Sequence, residues 1–325
     1  MAKYVVTGAA GFIGFHISLE LLKKNEKVIG VDNINNYYDK RIKYSRLKIL
    51  KQFPKFKFFK IDLNNKINFS KKINKYKNKI ELIIHLAGQA GVRYSIFNPG
   101  TYIQNNIMSY VQLLEFFKNS SKNKLILYAS SSSIYGEAGS KNTLSSEAQT
   151  KPISVYSASK LSMELISNVY NSLYKMNFIG VRFFSVYGPW GRPDMFYFKF
   201  LQKIKNNKPI EIYNFGNHHR SFTYIDDVVL NIMKLIKKFK NSKRSLCDIF
   251  NIGNPKSISL KKFIDVLEKS TGKKAKKIYT KKHPGDLTVT RSNVKREKNI
   301  FNHETRVPLK EGIMKLISWH KSYYK

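Results

Sequence analysis

The stretch from Tyr4 to Leu22 limits the fold more than any other part of the chain. Tyr4-Val5-Val6 is an apolar run of strand length that ends in Thr7-Gly8-Ala9-Ala10-Gly11-Phe12-Ile13-Gly14. Ile17, Leu21 and Leu22 then recur at helical spacing. Each glycine has its own reason. Gly8 permits a tight turn, Gly11 lets backbone approach a pyrophosphate, and Gly14 allows the helix to lie close on the strand. The helix N-terminus, around Phe12 and Ile13, directs its positive dipole end at the phosphates. Strand, glycines and helix in this order predict a dinucleotide site in a doubly wound parallel sheet.

The following strands extend the same pattern. Lys27-Val28-Ile29-Gly30-Val31 ends in Asp32, just over twenty residues past Gly8. An acidic residue there accepts bonds from adenosine ribose hydroxyls and repels the extra phosphate of NADP, which selects NAD. Phe56 to Ile61 ends in Asp62-Leu63, a carboxylate suited to the adenine end, and Ile80 to Leu86 ends in Ala87-Gly88-Gln89, small residues suited to the phosphates. The run from Thr101 to Lys118 carries Ile103, Ile107, Val111, Leu114 and Phe117 at helical spacing, with Tyr110 and Phe116 as a second set that is core or subunit contact. Leu125 to Ala129 is a fifth strand and ends in Ser130-Ser131-Ser132-Ser133. Twenty-five residues past Ser131 stands Tyr156-Ser157-Ala158-Ser159-Lys160. The four-residue spacing puts Tyr156 and Lys160 on one helix face.

Composition removes several function classes. The 325 residues, 42% hydrophobic, suffice for a large core in one or two domains. No apolar run is long enough for a membrane span, and no leader is expected ahead of the first strand. The single cysteine, Cys247, excludes an internal disulfide, and no Cys/His cluster suggests zinc, so a reducing cytoplasm and a metal-free site are expected. The net charge of +38 raises the question of nucleic acid. Its densest stretches, Lys71 to Lys79 and Lys273 to Lys282, alternate with Ile, Tyr and Asn as solvated faces do, so neither a nucleic-acid nor a membrane partner is expected.

Together, Thr7-Gly8-x-x-Gly11-x-x-Gly14, Asp32, Asp62-Leu63, the serine run and Tyr156-x-x-x-Lys160 resemble the extended short-chain dehydrogenase/reductases. Within that superfamily the chain is similar to nucleotide-sugar 4-epimerases, and most to UDP-glucuronate 4-epimerases. The similarity lies in Gly30-Val31-Asp32-Asn33-Ile34-Asn35-Asn36-Tyr37-Tyr38-Asp39, Ala90-Gly91-Val92-Arg93-Tyr94-Ser95, Arg182 to Met195 and Phe222-Thr223-Tyr224-Ile225-Asp226-Asp227. The fold implied is α/β, a doubly wound parallel (Rossmann) sheet with a smaller, discontinuous α+β substrate lobe. Residues 1–184 and about 217–253 would form the NAD-binding domain. Residues from about 185 to 216 and 254–325 would form the UDP-sugar lobe.

The resemblance also implies roles. Lys160 bonds the nicotinamide ribose and lowers the phenol pKa of Tyr156. Tyr156 takes the proton of the sugar 4-hydroxyl, and Ser131 bonds the same oxygen. C4 is oxidised by NAD, the 4-keto sugar turns over, and reduction on its other face restores NAD. Further cofactor contacts fall on Phe12, Ile13, Asn33, Asp62, Leu63 and Leu86, and on Ala87, Gln89, Asn105 and Ser130. On the substrate side, Arg220 is the expected partner of the diphosphate. Asp286 lies near the uridine, the strand from Ile210 to Phe215 meets uracil through its backbone, and Arg93 is a further contact. Ser131, Ser132, Ser133 and Ser185 would bond a C6 carboxylate, while Arg192 would fix either its loop or that acid. Asp226-Asp227 would cap the following helix.

Departures sharpen the assignment. The loop after the fifth strand lacks the Asp-Glu pair of 4,6-dehydratases, since Glu137 comes too late. His283 and Ser185 stand where many galactose-type epimerases have arginine and asparagine. A UDP-glucuronate 4-epimerase acting as a homodimer is the expectation. A 4-epimerase of UDP-glucose or UDP-N-acetylglucosamine, and more remotely a binding protein on this fold, are the alternatives.

Overall fold

The computed structural model describes residues 3–120, 124–140, 145–242 and 245–324. The first part of the chain runs β1 (Tyr4–Thr7), α1 (Phe12–Lys23), β2 (Val28–Asp32), α2 (Lys40–Leu50), β3 (Phe56–Lys60), α3 (Lys66–Ile73) and β4 (Leu82–His85). Next come α4 (Tyr94–Phe97), α5 (Pro99–Tyr102), α6 (Ser109–Phe117), β5 (Leu125–Ser131), α7 (Val155–Tyr174), β6 (Asn177–Phe183), β7 (Ser185–Tyr187), α8 (Phe196–Lys205) and β8 (Ile210–Tyr213). The remainder is β9 (His219–Arg220), β10 (Phe222–Tyr224), α9 (Ile225–Phe239), β11 (Cys247–Ile252), β12 (Ile258–Ser259), α10 (Leu260–Thr271), β13 (Lys277–Thr280), β14 (Val289–Thr290), α11 (Lys295–Phe301) and α12 (Leu309–Tyr323).

Two compact units divide the chain. The first holds residues 1–134, 152–182 and 232–250. Its seven-stranded sheet has the order β11-β6-β5-β4-β1-β2-β3. β1 pairs in parallel with β2 and β4, β2 with β3, and β4 with β5. β1, β2 and β4 are buried at every residue, which is why they read as unbroken apolar runs. β3 mixes phenylalanine with exposed lysines because it is the sheet edge. Val5, Ile29, Ile83, Ile126 and Phe178 form one core with Leu113, Leu114 and Phe117 of α6 and Met163 of α7.

The helical run expected from Thr101 to Lys118 is interrupted. Between α5 and α6 lies a π-helical stretch, Ile103–Met108. The wider turn shifts the inward face to Tyr102, Asn106, Ser109, Tyr110 and Leu113, and leaves Ile103 46% exposed. Tyr110 is thereby core, and Phe116 packs edge-on against Phe69.

The second unit holds residues 135–151, 183–231 and 251–325. It contains three small sheets: β10 with β7, the set β12-β9-β14, and β13 with β8. Aromatic rings fill its interior, with Phe222 and Phe263 in contact with each other and each with Tyr187 and Phe196. These units differ most from the domains expected in the sequence at two places. Residues 217–231 do not join the large sheet, because β10 pairs with β7. The described residues of 135–151 belong to the second unit, where the Tyr135 hydroxyl bonds Asn251 Oδ1. Asp227 also departs from the capping expectation. Its carboxylate accepts the backbone N–H groups of Arg306 and Val307, so it ties the segment before α12 to α9.

Candidate active site

The first unit builds its site at the carboxyl ends of β1, β2, β4 and β5. Gly8 adopts φ +71, and a Cβ there would lie 2.8 Å from the backbone of Leu86 and Ala87. A Cβ on Gly14 would lie 2.1 Å from the Gly8 carbonyl oxygen. Only glycine allows β1, α1 and the end of β4 to meet this closely. Gly11 caps α1 without a side-chain bond, and the first turn holds no acidic residue. The N–H groups of that turn therefore face outward with a positive dipole and no resident carboxylate, which fits a pyrophosphate.

Asp32 sits at the end of β2, 9% exposed. Its Oδ2 accepts the N–H of Ala10 at 3.1 Å and its Oδ1 that of Ile34 at 2.8 Å. Burial raises the pKa of its carboxyl, and the Ile34 N–H, Lys43, the Ala10 N–H and Arg46 oppose that rise. Each oxygen keeps acceptor capacity for a ribose hydroxyl. Asn33 Nδ2 donates to Asp62 Oδ2 at 3.0 Å, which links the ends of β2 and β3. Asn105 Oδ1 accepts from Asn64 Nδ2 at 3.1 Å. Phe12, Leu63 and Gln89 are buried, while Ile13, Leu86 and Ala87 are half-buried.

α7 starts at a capping box between Ser154 and Ser157, which fixes its first turn, where Tyr156 stands. The Tyr156 ring packs edge-on against Tyr102, 5.9 Å between centroids. One turn on, Lys160 is 5% exposed. Its Nζ donates to the Ala129 carbonyl at 2.9 Å, and burial pulls its pKa down from 10.5 to about 8. A Cβ on Gly88 would reach within 3.5 Å of that Nζ, so the glycine keeps the ammonium approachable from the β4 loop. Ser131 Oγ accepts from both the Ser133 N–H at 3.2 Å and the Ser133 hydroxyl at 2.9 Å. Ser132 lies beside them, 9% exposed. Ser130 is different: its hydroxyl donates to Glu164 at 2.5 Å, which leaves its oxygen only acceptor capacity for a cofactor contact.

Three residues tie this site together without having been singled out from the sequence. Asn106, in the π-helical stretch, accepts the Gln89 N–H, donates to the Gln89 carbonyl, and donates to Ser159 Oγ. Glu164 and Arg182 form a buried ion pair at 2.7 Å. Glu164 continues the four-residue spacing of Tyr156 and Lys160, and Arg182 interrupts an apolar strand. Both signals were present in the sequence. Asn106 carried none, because its role depends on the π turn.

In the second unit the expected substrate residues have these places. Arg220 donates to the carbonyls of His219, Thr288 and Leu287, which fixes the plane of its guanidinium. Asp286, half-buried, closes a turn through its N–H to the His283 carbonyl, with Gly285 at φ +78. Ser185 opens β7, half-buried, opposite Phe222. Arg192 donates to both carboxylate oxygens of Asp194, at 3.0 and 2.5 Å, a bond within its own loop. In the first unit, Arg93 immediately precedes α4 and is half-buried.

A doubly wound sheet, a glycine turn fitted to a dinucleotide and a Tyr–Lys pair on one helix face define an extended short-chain dehydrogenase/reductase. The model of the NAD dependent epimerase/dehydratase family matches residues 4–253, and the chain belongs to that family. It is 40% identical over 323 residues to the UDP-glucuronate 4-epimerase of Thermodesulfobacterium geofontis, covering 99% of this chain and 97% of that one. It is 38% identical over 334 residues to UDP-glucuronate 4-epimerase 1 of Arabidopsis thaliana, covering 98% of this chain and 77% of that one. The crystal structure of the UDP-glucuronic acid 4-epimerase from Bacillus cereus, in complex with UDP-glucuronic acid and NAD, matches with a TM-score of 0.91 and 32% identity. That match covers 99% of this chain and 100% of the other.

Proposed function

We propose that this protein is a UDP-glucuronate 4-epimerase that interconverts UDP-glucuronate and UDP-galacturonate with NAD as its resident cofactor. The observation that carries the reading is the Tyr156–Lys160 pair, with Lys160 buried against the carbonyl of Ala129, two residues before Ser131. The relatives named above, two proteins and one structure, support the uronate.

The first unit is the NAD-binding domain in this reading, and the second binds the UDP-sugar. Gly8, Gly11, Gly14 and the first turn of α1 hold the pyrophosphate, and Asp32 the adenosine ribose. NAD, when bound, supplies the reversible oxidation at C4. Tyr156 accepts the proton of the 4-hydroxyl and returns it. The Lys160 ammonium stabilises the phenolate form of Tyr156. Ser131, polarised by the Ser133 hydroxyl that donates to it, orients the same sugar oxygen. Arg220 pairs with the diphosphate, Asp286 lies toward the uridine, and Ser132, Ser133 and Ser185 hold the C6 carboxylate.

Among the described residues no helix is long and apolar enough to cross a membrane. A cytoplasmic homodimer completes the reading. Its support is a stripe on α7, where Leu165, Val169 and Leu173 are 59%, 52% and 66% exposed at four-residue spacing.

Incubation with UDP-glucuronate, followed by proton NMR of the anomeric region, tests the function. A galacto product without UDP-pentose is expected. Conversion of UDP-glucose or UDP-N-acetylglucosamine alone would reject the uronate assignment, and absence of both turnover and bound dinucleotide would reject the enzyme.

A further inference from the structure

We propose that Glu164 is a positioning residue. With Arg182 it pins the carboxyl end of β5 to α7, so that Ser131 and Tyr156 address one substrate oxygen. The inference rests on the functional reading above, which makes those two the reacting groups.

Tyr156, Lys160 and Glu164 follow one another at four-residue spacing on a single face of α7. Two consecutive residues of β5 are bonded to that face. The Ala129 carbonyl accepts from Lys160 Nζ at 2.9 Å, and Ser130 Oγ donates to Glu164 Oε1 at 2.5 Å. Ser131 is the next residue, so its position follows from theirs. Arg182, from β6, orients the carboxylate from behind, with Nε on Oε1 at 2.9 Å and a terminal nitrogen on Oε2 at 2.7 Å. Both side chains of the pair are buried, at 5% and 3% exposure. Stability alone is a poor reason to keep such a pair, because well-packed apolar replacements of buried ion pairs are often neutral or stabilising. What the pair adds over an apolar contact is direction: a two-armed acceptor that fixes the Ser130 hydroxyl from one side.

The test replaces the pair by an apolar one, Glu164→Leu with Arg182→Met, in the enzyme carrying its cofactor. Positioning predicts a retained melting temperature and a kcat lower by about 10- to 100-fold. The KM for the UDP-sugar and the Kd for NADH should stay within about twofold. Ser130→Ala should share the kcat loss and Ser130→Thr should recover most of it, which keeps the test intact if the double variant folds poorly. Hydrogen exchange in the nucleotide-free protein gives a second readout. Amides 130–133 should exchange about tenfold faster in the double variant and in Ser130→Ala, with the rest of the sheet unchanged. A kcat within about twofold of wild type with unchanged exchange would overturn the inference, as would NADH affinity falling in step with kcat. Wild-type turnover on each UDP-sugar separates the two levels. If only a neutral sugar reacts, the uronate reading fails and the same variants are measured on that sugar. If none reacts, the exchange of amides 130–133 decides the tie.

Discussion

Lys160 should weaken the fold that carries it. Its side chain is 5% exposed, and burial lowers its pKa from 10.5 to about 8. At about 1.4 kcal/mol per tenfold, keeping the ammonium charged inside costs on the order of 3 kcal/mol at pH 7. Lys160→Met removes that cost and leaves the Ala129 carbonyl without its donor at 2.9 Å, a loss of about 1–2 kcal/mol. The nucleotide-free variant should therefore be more stable than wild type by about 1–2 kcal/mol at pH 7. Removing the nucleotide matters, since a ligand that binds only the folded state would add its own stabilisation. The pH dependence has a definite sign. Between about 8 and 10.5 the unfolded chain holds a proton that the folded chain releases, so wild-type stability rises with pH across that window. The advantage of the variant should be full below about 8 and turn into a deficit above 10.5, where only the lost bond, about 1–2 kcal/mol, remains. Urea midpoints at several pH values measure it, and turnover should fall by about 10²- to 10⁴-fold in the same variant. A variant less stable than wild type at pH 7, or a gap that widens with pH, would refute the reasoning.

Other perturbations follow from the same geometry. Gly14→Ala places a Cβ 2.1 Å from the Gly8 carbonyl oxygen; thermal melts should show a loss of about 1–3 kcal/mol together with weaker NADH binding. His320 is buried beside Phe198 and Tyr324 and its pKa is pulled down from 6.5 to about 4. Its share of stability is present above 6.5 and lost as pH falls toward 4. His320→Phe should leave denaturant midpoints unchanged at neutral pH and raise them below pH 6. Replacing Ser132, Ser133 and Ser185 by alanine should raise the UDP-pentose by-product, because a 4-keto uronate loses carbon dioxide unless its carboxylate is held out of line with the ketone. NMR detects the pentose, and its absence with unchanged uronate selectivity would sink the idea. Leu165→Lys with Leu173→Lys should convert a dimer to a monomer in light scattering at unchanged secondary structure, since both side chains are more than half exposed.

What the sequence made legible was local. The turn from Gly8 to Gly14 needs only its own backbone and the strand beside it, so residue types at fixed spacing suffice to read it. Asp32 and the serine run were readable because strand ends in a doubly wound sheet converge on one edge. Arg192 was ambiguous until Asp194, two residues on, was seen to hold both arms of its guanidinium. The partner of the Ser130 hydroxyl was not legible for the opposite reason: Glu164 is thirty-four residues away, and no local pattern orients a hydroxyl toward it. The helix from Thr101 was read with a uniform period, and the π turn moved its buried face and put Asn106 under the β4 loop. Asp227 looks like a cap in any sequence window. Only the tertiary course of Arg306 and Val307 shows where its oxygens go.

The distribution of buried polarity in the first unit identifies the working edge without reference to relatives. The carboxyl ends of successive strands carry Thr7 on β1, Asp32 on β2, His85 on β4, Ser130 and Ser131 on β5 and Arg182 on β6, all buried. The opposite ends of β1, β2, β4 and β5 begin with Tyr4, Val28, Leu82 and Leu125, which are apolar or aromatic and equally buried, and among these five strands only β6 begins with a polar residue, Asn177. Polar groups taken out of water are unfavourable unless bonded, and folding alone gives no reason to collect them at one end of a sheet. Several are matched to one another: Thr7 to His85 at 2.9 Å, and Ser130 and Arg182 to Glu164. Burial lowers the His85 pKa to about 3, so its ring stays neutral and adds no second positive charge beside Lys160. Near the end of β5 the burden falls on Lys160, whose pKa burial lowers to about 8, while Arg182 is paired with Glu164 and His85 stays neutral. A cation held in this way acts on whatever acid stands next to it, and on α7 the residue one turn before it is Tyr156.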